Sequence, residues 1–319
     1  MNFKDKVILV TGGTGSFGNV FIKSLLKNDD PKKIIIYSRD ELKQFEQAND
    51  LNDNRLHYVI GDIRDQERLS SVCRGVDIVV HAAALKQVVA AEYNPTECIR
   101  TNINGAINVI NAAIDGQVSK VVALSTDKAV NPINLYGATK LCSDKLFCAA
   151  NIRADRGKTI FSVVRYGNVI GSRGSVIPFF REQSKKGTIT ITDPRMTRFW
   201  ITLERGTQFV IDCIHRMKGG EVFISKIPSM LITDLATAIA PQCKQEIIGI
   251  RPGEKLHEVM VPQNEARRTL EYDDFFVICP DFSSTDNALF FEYDGKKGKS
   301  VTDDFEYVSN NNTHWLTVY

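Results

Sequence analysis

Six short runs punctuate the first half of the chain, at residues 6–10, 33–37, 56–60, 77–81, 120–124 and 159–165, each apolar at nearly every position. A strand wetted on one face alternates apolar and polar residues, whereas a strand covered on both faces does not. These runs therefore predict strands of a parallel sheet held between helices. Amphipathic stretches separate them, as in 17–26, where Phe17, Phe21 and Leu25 recur about one helical turn apart. Strand–helix alternation with right-handed crossovers predicts an α/β fold, a doubly wound parallel (Rossmann) sheet spanning 1–170.

Beyond Gly171 the rhythm changes. Residues 171–175 read as a loop, 177–185 as a helix and 201–217 as a longer helix, followed by a strand at 221–224 that rejoins the sheet edge. Segment 201–225 thus returns to the first domain. Residues 171–200 and 226–319, with short strands, proline turns and a helix near 232–240, are predicted as a smaller C-terminal substrate-binding lobe. That lobe covers the carboxyl ends of the strands, where open α/β sheets bind ligands. The tail from Asp281 is polar and carries no readable pattern.

Composition narrows the partners. Lys and Arg number 40 against 38 Asp and Glu, a balance without the basic footprint that nucleic acid or an anionic membrane demands. No apolar run nears the ~20 residues of a bilayer span, and no signal-peptide core follows the N-terminus. Seven cysteines without a Cys-x-x-Cys pair read as reduced thiols. A soluble cytoplasmic protein is expected. The five histidines show no ligand spacing, so no metal is expected.

Chemistry enters at residues 11–18 (Thr-Gly-Gly-Thr-Gly-Ser-Phe-Gly), where the first strand runs into the first helix. Gly12 permits the tight turn, Gly15 lets the backbone approach a pyrophosphate, and Gly18 lets helix and strand pack closely. Thr14, Ser16 and Phe17 complete the loop, whose free N–H groups and helix dipole face the anion. An NAD site usually ends the second strand with an acid; here Ser38 and Arg39 follow Tyr37. A hydroxyl and a guanidinium suit a 2′-phosphate, so NADP is favoured. The alternative makes Arg39 a surface charge and Asp40 the ribose contact. Asp62, with Ile63 after it, ends the third strand toward the adenine edge, and the small Ala82 leaves room beside the cofactor.

After the fifth strand come Ser125, Thr126, Asp127 and Lys128, then Tyr136 and Lys140. Tyr and Lys four apart share one helix face, so the ammonium can lower the phenol pKa and make Tyr136 a base for alcohol oxidation.

At this point the sequence resembles the extended short-chain dehydrogenase/reductases. Within them it is similar to the nucleotide-sugar 4,6-dehydratases, in particular the inverting UDP-N-acetylglucosamine 4,6-dehydratases that open pseudaminic acid biosynthesis. The likeness covers nearly the whole chain, through residues 11–18, 38–43, 127–140, 165–169, 171–176, 196–200, 251–258 and 311–315. It implies that Ser38, Arg39, Asp40, Glu41, Leu42 and Lys43 border the cofactor. Retaining relatives carry Asp-Glu where this chain has Asp127-Lys128. The resemblance implies Asp127 as acid for the C6 hydroxyl, Lys128 as base for C5 and Thr126 beside them. Lys128 must be neutral to act so, and burial together with the cation of Lys140 is expected to lower its pKa.

On the substrate side the resemblance implies Lys86 near the sugar or nicotinamide ribose, and Asn168, Val176, Ile177 and Pro178 along the nucleotide. It also implies Thr190 in the pocket, with Arg198, Arg251 and Glu254 about the phosphate and ribose. Read without the resemblance, each Arg is an ion-paired surface residue, with Glu254 and Glu258 able to pair Arg251. UDP-N-acetylglucosamine is thus the expected substrate, and a homo-oligomer, hexamer or dimer, the expected assembly. A UDP-hexose 4-epimerase and a non-catalytic NADP-binding scaffold remain the alternatives.

Overall fold

A computed structural model of the chain describes residues 3–154, 158–171, 175–280 and 292–318. Among the described residues its centre is a ten-stranded sheet. Seven strands are parallel: β1 (Val7–Thr11), β2 (Lys33–Ser38), β3 (Leu56–Ile60), β4 (Ile78–His81), β5 (Lys120–Thr126), β6 (Ile160–Tyr166) and β7 (Val222–Ser225). They lie in the order β3-β2-β1-β4-β5-β6-β7, a doubly wound arrangement with its switch point between β1 and β4. Helices cover both faces, so Leu9, Val10, Ile36, Val79, Val80, Val121 and Val122 are fully buried. The apolar runs are the cause: a strand without a polar face has no stable place at a solvated surface.

The strand expected at 221–224 is interior rather than an edge. Beyond β7 the sheet continues antiparallel through β9 (Phe275–Ile278), β8 (Thr269–Glu271) and β10 (Lys299–Ser300). Segment 226–319, expected wholly in the lobe, is therefore divided between lobe and sheet. Phe275, Phe276, Val277 and Ile278 are all buried, the signature of a strand covered on both faces. The helix expected from 201 begins at Leu203, because Thr197–Thr202 is a strand and the Thr202 hydroxyl caps the backbone N–H of Arg205 at 3.2 Å.

The lobe has its own core, with Ile177, Phe180, Ile189, Met196, Trp200, Met230 and Leu235 packed together. Around it stand a three-stranded sheet (Ser229–Leu231, Thr197–Thr202, Asn168–Ile170) and the pair Thr188–Ile191 with Lys244–Ile247. Of the loop expected at 171–175, residues 172–174 lie outside the described residues, as do 281–291 of the tail. No described helix is long and apolar enough to cross a membrane.

Candidate active site

The glycine loop joins β1 to the helix α1 (Ser16–Asn28). Gly12 has φ +69°, and a Cβ there would sit 2.9 Å from the Ala83 nitrogen, so only glycine fits. A Cβ on Gly18 would lie 2.4 Å from the Gly13 carbonyl oxygen. Gly15 stands at the start of α1 and offers no side-chain cap, and the first turn, Ser16 to Gly18, faces the cleft. Two side chains hold the loop: Asn19 donates to the Thr14 and Gly15 carbonyls at 3.0 Å each, and Gln47 donates to Gly13 O at 3.1 Å and to Asn19 Oδ1 at 2.8 Å. Gln47 is buried on the helix α2 (Glu41–Leu51). The motif had pointed to neither residue.

A cleft of about 600 Å³ opens along this loop and the carboxyl ends of β1 to β6. It gathers Gly12, Thr14, Gly15, Ser16, Phe17, Gly18, Ser38, Arg39, Asp40, Lys43, Asp62, Ile63, Ala82, Lys86, Thr126, Lys128, Tyr136, Lys140 and Asn168. Thr101 joins them unforeseen, and Ser125, Tyr166 and Gly167, which lie in stretches already singled out, join them without having been given a role. Glu41 and Leu42 do not line the cleft; as the first residues of α2 they face solvent, Leu42 being 61% exposed. Asp40 accepts from the Lys43 backbone at 3.0 Å and pairs the Lys43 ammonium. That hydrogen bond holds its carboxyl below the usual range. Burial raises Asp62, but Arg64, donating from Nε and Nη2 to the same carboxylate oxygen, with Arg39 at 3.7 Å, outweighs it and leaves the group below its ordinary value.

The catalytic candidates converge where β5 ends. Thr126 donates to Asp127 Oδ1 at 2.9 Å, and Asp127 and Lys128 open a single helical turn. Lys128 Nζ lies 3.1 Å from Asp127 Oδ1, 3.3 Å from Asn168 Oδ1 and 3.4 Å from Glu258 Oε1. Tyr136, Lys140 and Asp144 share one face of the Leu135–Arg153 helix, all buried. Asp144 accepts from Ser125 Oγ at 2.7 Å and faces Arg165 at 3.5 Å. Burial lowers Lys140, with Asp144 opposing, and raises Asp144 against Arg165 and Lys140.

Two expectations about protonation are corrected. Burial drives Tyr136 up to about 12, with Lys128 the first charge acting against it. The phenol is thus raised, where the Tyr-x-x-x-Lys spacing had suggested lowering. Burial pulls Lys128 down, but Asp127 and then Glu258 overcome it and raise the ammonium above its ordinary value. The charges that decide Lys128 are two carboxylates, set against Arg198, rather than the cation of Lys140.

Several residues expected at the substrate do not line the cleft. Val176, Ile177 and Pro178 begin the Val176–Ser184 helix, and Ile177 packs into the lobe core. Thr190 is tied to Gln183 by two hydrogen bonds. Arg251 pairs with Glu254 at 4.0 Å, half exposed. Arg198 donates to the carbonyls of Thr197, Lys255 and Leu256 and lies 3.7 Å from Glu258. Glu258 was foreseen only as a partner for Arg251, and instead stands beside Lys128 and Arg198. Among the described residues no group of His, Cys, Asp and Glu could hold a metal ion.

A glycine-loop Rossmann sheet whose fifth strand is followed by a helix that brings Tyr-x-x-x-Lys to the cleft is the architecture of an extended short-chain dehydrogenase/reductase. A family model described as polysaccharide biosynthesis protein matches residues 8–280, and the chain belongs to that family. It is 57% identical over 319 residues to the inverting UDP-N-acetylglucosamine 4,6-dehydratase of Campylobacter jejuni, covering 99% of this chain and 96% of the relative. It is 41% identical to a UDP-glucose 4-epimerase of Rickettsia akari, over 97% of this chain and 92% of that one. Among solved structures, Pen from Bacillus thuringiensis superimposes with a TM-score of 0.91 at 38% identity, covering 100% of this chain and 96% of Pen. The fold is shared with the dTDP-glucose 4,6-dehydratase DesIV of Streptomyces venezuelae, at a TM-score of 0.71 and 24% identity over 78% of this chain and 86% of DesIV.

Proposed function

We propose that this protein is a C5-inverting UDP-N-acetylglucosamine 4,6-dehydratase that uses NADP. The observation that carries the reading is Asp127-Lys128 at the end of β5, where Lys128 lines the cleft together with Tyr136 and its amine touches the Asp127 carboxylate. An epimerase needs the tyrosine and the glycine loop but not a further acid/base pair. The likeness to the Campylobacter enzyme, over nearly the full length of both chains, supports the same choice.

The loop fits a dinucleotide because Gly12 and Gly18 admit no Cβ and the first turn of α1 is uncapped by any side chain. Ser38 and Arg39 line the cleft where an NAD site usually has an acid, and Asp40 is spent on Lys43 and the start of α2. When bound, NADP supplies hydride acceptance at C4 and hydride return to C6, so the reaction has no net redox change. Tyr136 takes the proton of the C4 hydroxyl as its phenolate, a form that burial opposes and the Lys128 cation favours, with Lys140 on the same helix face. The C4 ketone then acidifies the C5 proton.

Abstraction at C5 needs Lys128 as a free amine, and departure of the C6 hydroxyl as water needs Asp127 protonated. One transfer across their 3.1 Å contact, from ammonium to carboxylate, prepares both at once. Lys128 then takes the C5 proton; the proton on Asp127, which lies buried behind the cleft wall, passes to the leaving oxygen through the Thr126 hydroxyl, which lines the cleft and contacts Asp127 Oδ1 at 2.9 Å; and a solvent proton reaching C5 on the opposite face inverts the centre. A homo-oligomeric state and a product destined for pseudaminic acid rest on the resemblance.

The test is incubation with UDP-N-acetylglucosamine in heavy water. A product lighter by one water, with deuterium at an inverted C5, is expected. An isomer of unchanged mass would make the protein an epimerase, and no turnover with bound NADP would make it a scaffold.

A further inference from the structure

Glu258 is one of the most buried acids in the protein, 2% exposed, and nothing in its local sequence explains why a carboxylate should be there. Its backbone is fixed first. The Ser309 hydroxyl accepts from the Glu258 N–H at 2.9 Å, and the Ser309 N–H donates to the Glu258 carbonyl at 2.8 Å. The loop that leads into it is fixed next. Arg198 holds the carbonyls of Lys255 and Leu256, the Lys255 ammonium reaches Val130 O at 2.5 Å, and Asn134 donates to Gly253 O at 2.8 Å. Val130 and Asn134 flank the turn of Asp127-Lys128 and the start of the Tyr136 helix. This loop is therefore tied to the segment that carries the acid/base groups.

One oxygen of Glu258 lies 3.4 Å from Lys128 Nζ and 3.7 Å from Arg198 Nε, and the other is buried without a hydrogen-bond partner. Lys128 lines the cleft, while neither Glu258 nor Asp127 does. The ammonium is thus held by two carboxylates and an amide oxygen, on a side chain that lines the cavity.

We propose that Glu258 is the positioning residue of Lys128: across 130 residues of sequence, its carboxylate fixes the amine at the cleft wall and governs how readily that amine gives up its proton. This rests on the reading of Lys128 as the C5 acid/base. The charged and titratable groups facing Lys128 are Asp127, Glu258, Arg198, Lys255 and Tyr136. Asp127 and Glu258 favour the ammonium, whereas Arg198 and Lys255 oppose it. Glu258→Gln keeps the shape and removes one of the two favourable charges. A single opposite charge at this range moves a pKa by roughly one to three units.

The experiment titrates protein labelled with ¹³Cε-lysine, in which the Lys128 resonance is the one lost in Lys128→Met. The native midpoint is expected above that of an ordinary lysine, the Glu258→Gln midpoint about one to three units lower, and Glu258→Asp between them. The rise of C5 solvent-deuterium exchange with pH is expected to shift downward by the same interval, independently of any loss of amplitude. A lesion of packing alone would lower amplitude and leave both midpoints in place, and that outcome overturns the proposal. Should Glu258→Gln not fold, a native Lys128 midpoint at or below the ordinary lysine value overturns it equally. Persistent C5 exchange in Lys128→Met instead overturns the assignment of Lys128. Loss of exchange there with an unmoved Glu258→Gln midpoint overturns the role of Glu258 alone.

Discussion

Asn134 performs two separable jobs, and separating them tests how the loop 251–258 serves the site. Its Oδ1 caps the Leu135–Arg153 helix by accepting from the Gly137 N–H at 2.8 Å, and its Nδ2 donates to Gly253 O at 2.8 Å. The close fit is steric as well: a Cβ on Gly253, whose φ is +81°, would stand 3.2 Å from the Asn134 Cβ. Asn134→Ala loses both bonds. The cap contributes about 1 kcal/mol and the tether about 1 kcal/mol, together about 2 kcal/mol. With an unfolding entropy of about 2.1 cal/mol/K per residue, a chain of 319 residues then melts about 3 °C lower. Asn134→Asp keeps the capping oxygen and loses only the donor, so about half that shift is expected. Activity divides differently. The tether, not the cap, reaches the loop that brings Glu258 to Lys128, so Asn134→Asp is expected to lose most of the kcat that Asn134→Ala loses, about fivefold for 1 kcal/mol. Calorimetry and initial-rate kinetics on the two variants decide it. If Asn134→Asp melts lower yet turns over like the native enzyme, the docking of this loop has no part in catalysis.

Two further outcomes follow from single side chains. Arg39→Ala is expected to raise the KM for NADP about tenfold and leave NAD nearly unchanged. The effect falls at the low end for a charge-assisted bond because Asp62, at 3.7 Å, already draws the guanidinium; equal losses for both coenzymes would exclude a 2′-phosphate contact. His81 is fully buried against Phe147, with Nδ1 2.8 Å from Thr11 Oγ1, and burial, helped by Lys140, holds it down at about 3. From pH 6.5 downward the unfolded chain binds a proton that the folded chain refuses. Stability is therefore full above 6.5 and is lost toward pH 3, at about 1.4 kcal/mol per pH unit from this residue. His81→Asn is expected to flatten that slope in urea unfolding between pH 6 and 4, even if it lowers stability at pH 7; an unaltered slope would place the acid lability elsewhere.

The parts of the protein that were legible in its sequence are those whose cause is local. Strands β1, β2, β4, β5 and β6 announce themselves because burial on both faces leaves them few polar positions, while the edge strand β3, only partly buried, is legible from its apolar run alone. The glycine loop is equally legible, because Gly12 and Gly18 answer steric demands made within a few residues or by the adjoining strand. What escaped was set by contacts far apart in sequence. Phe275–Ile278 has the same all-apolar character as β1, yet only its antiparallel pairing with β7 reveals that it prolongs the sheet. Asn19 and Gln47 look like ordinary helix-surface polar residues until the loop carbonyls they hold are seen. The protonation of the site was the hardest to read, and for one reason. A pKa depends on which charges lie within a few ångströms, and the sequence neighbour of Lys128 that mattered, Asp127, was taken as its chemical partner but not as its electrostatic one. The second carboxylate, Glu258, arrives from the far lobe. On the proposed mechanism, Lys in place of the Glu that the resemblance gives retaining enzymes turns the C5 base from a group that is charged when ready into one that is charged when idle. Such a group needs a nearby acceptor for its proton and a fixed anion to hold it meanwhile, and the geometry about Lys128 offers one of each in Asp127 and Glu258.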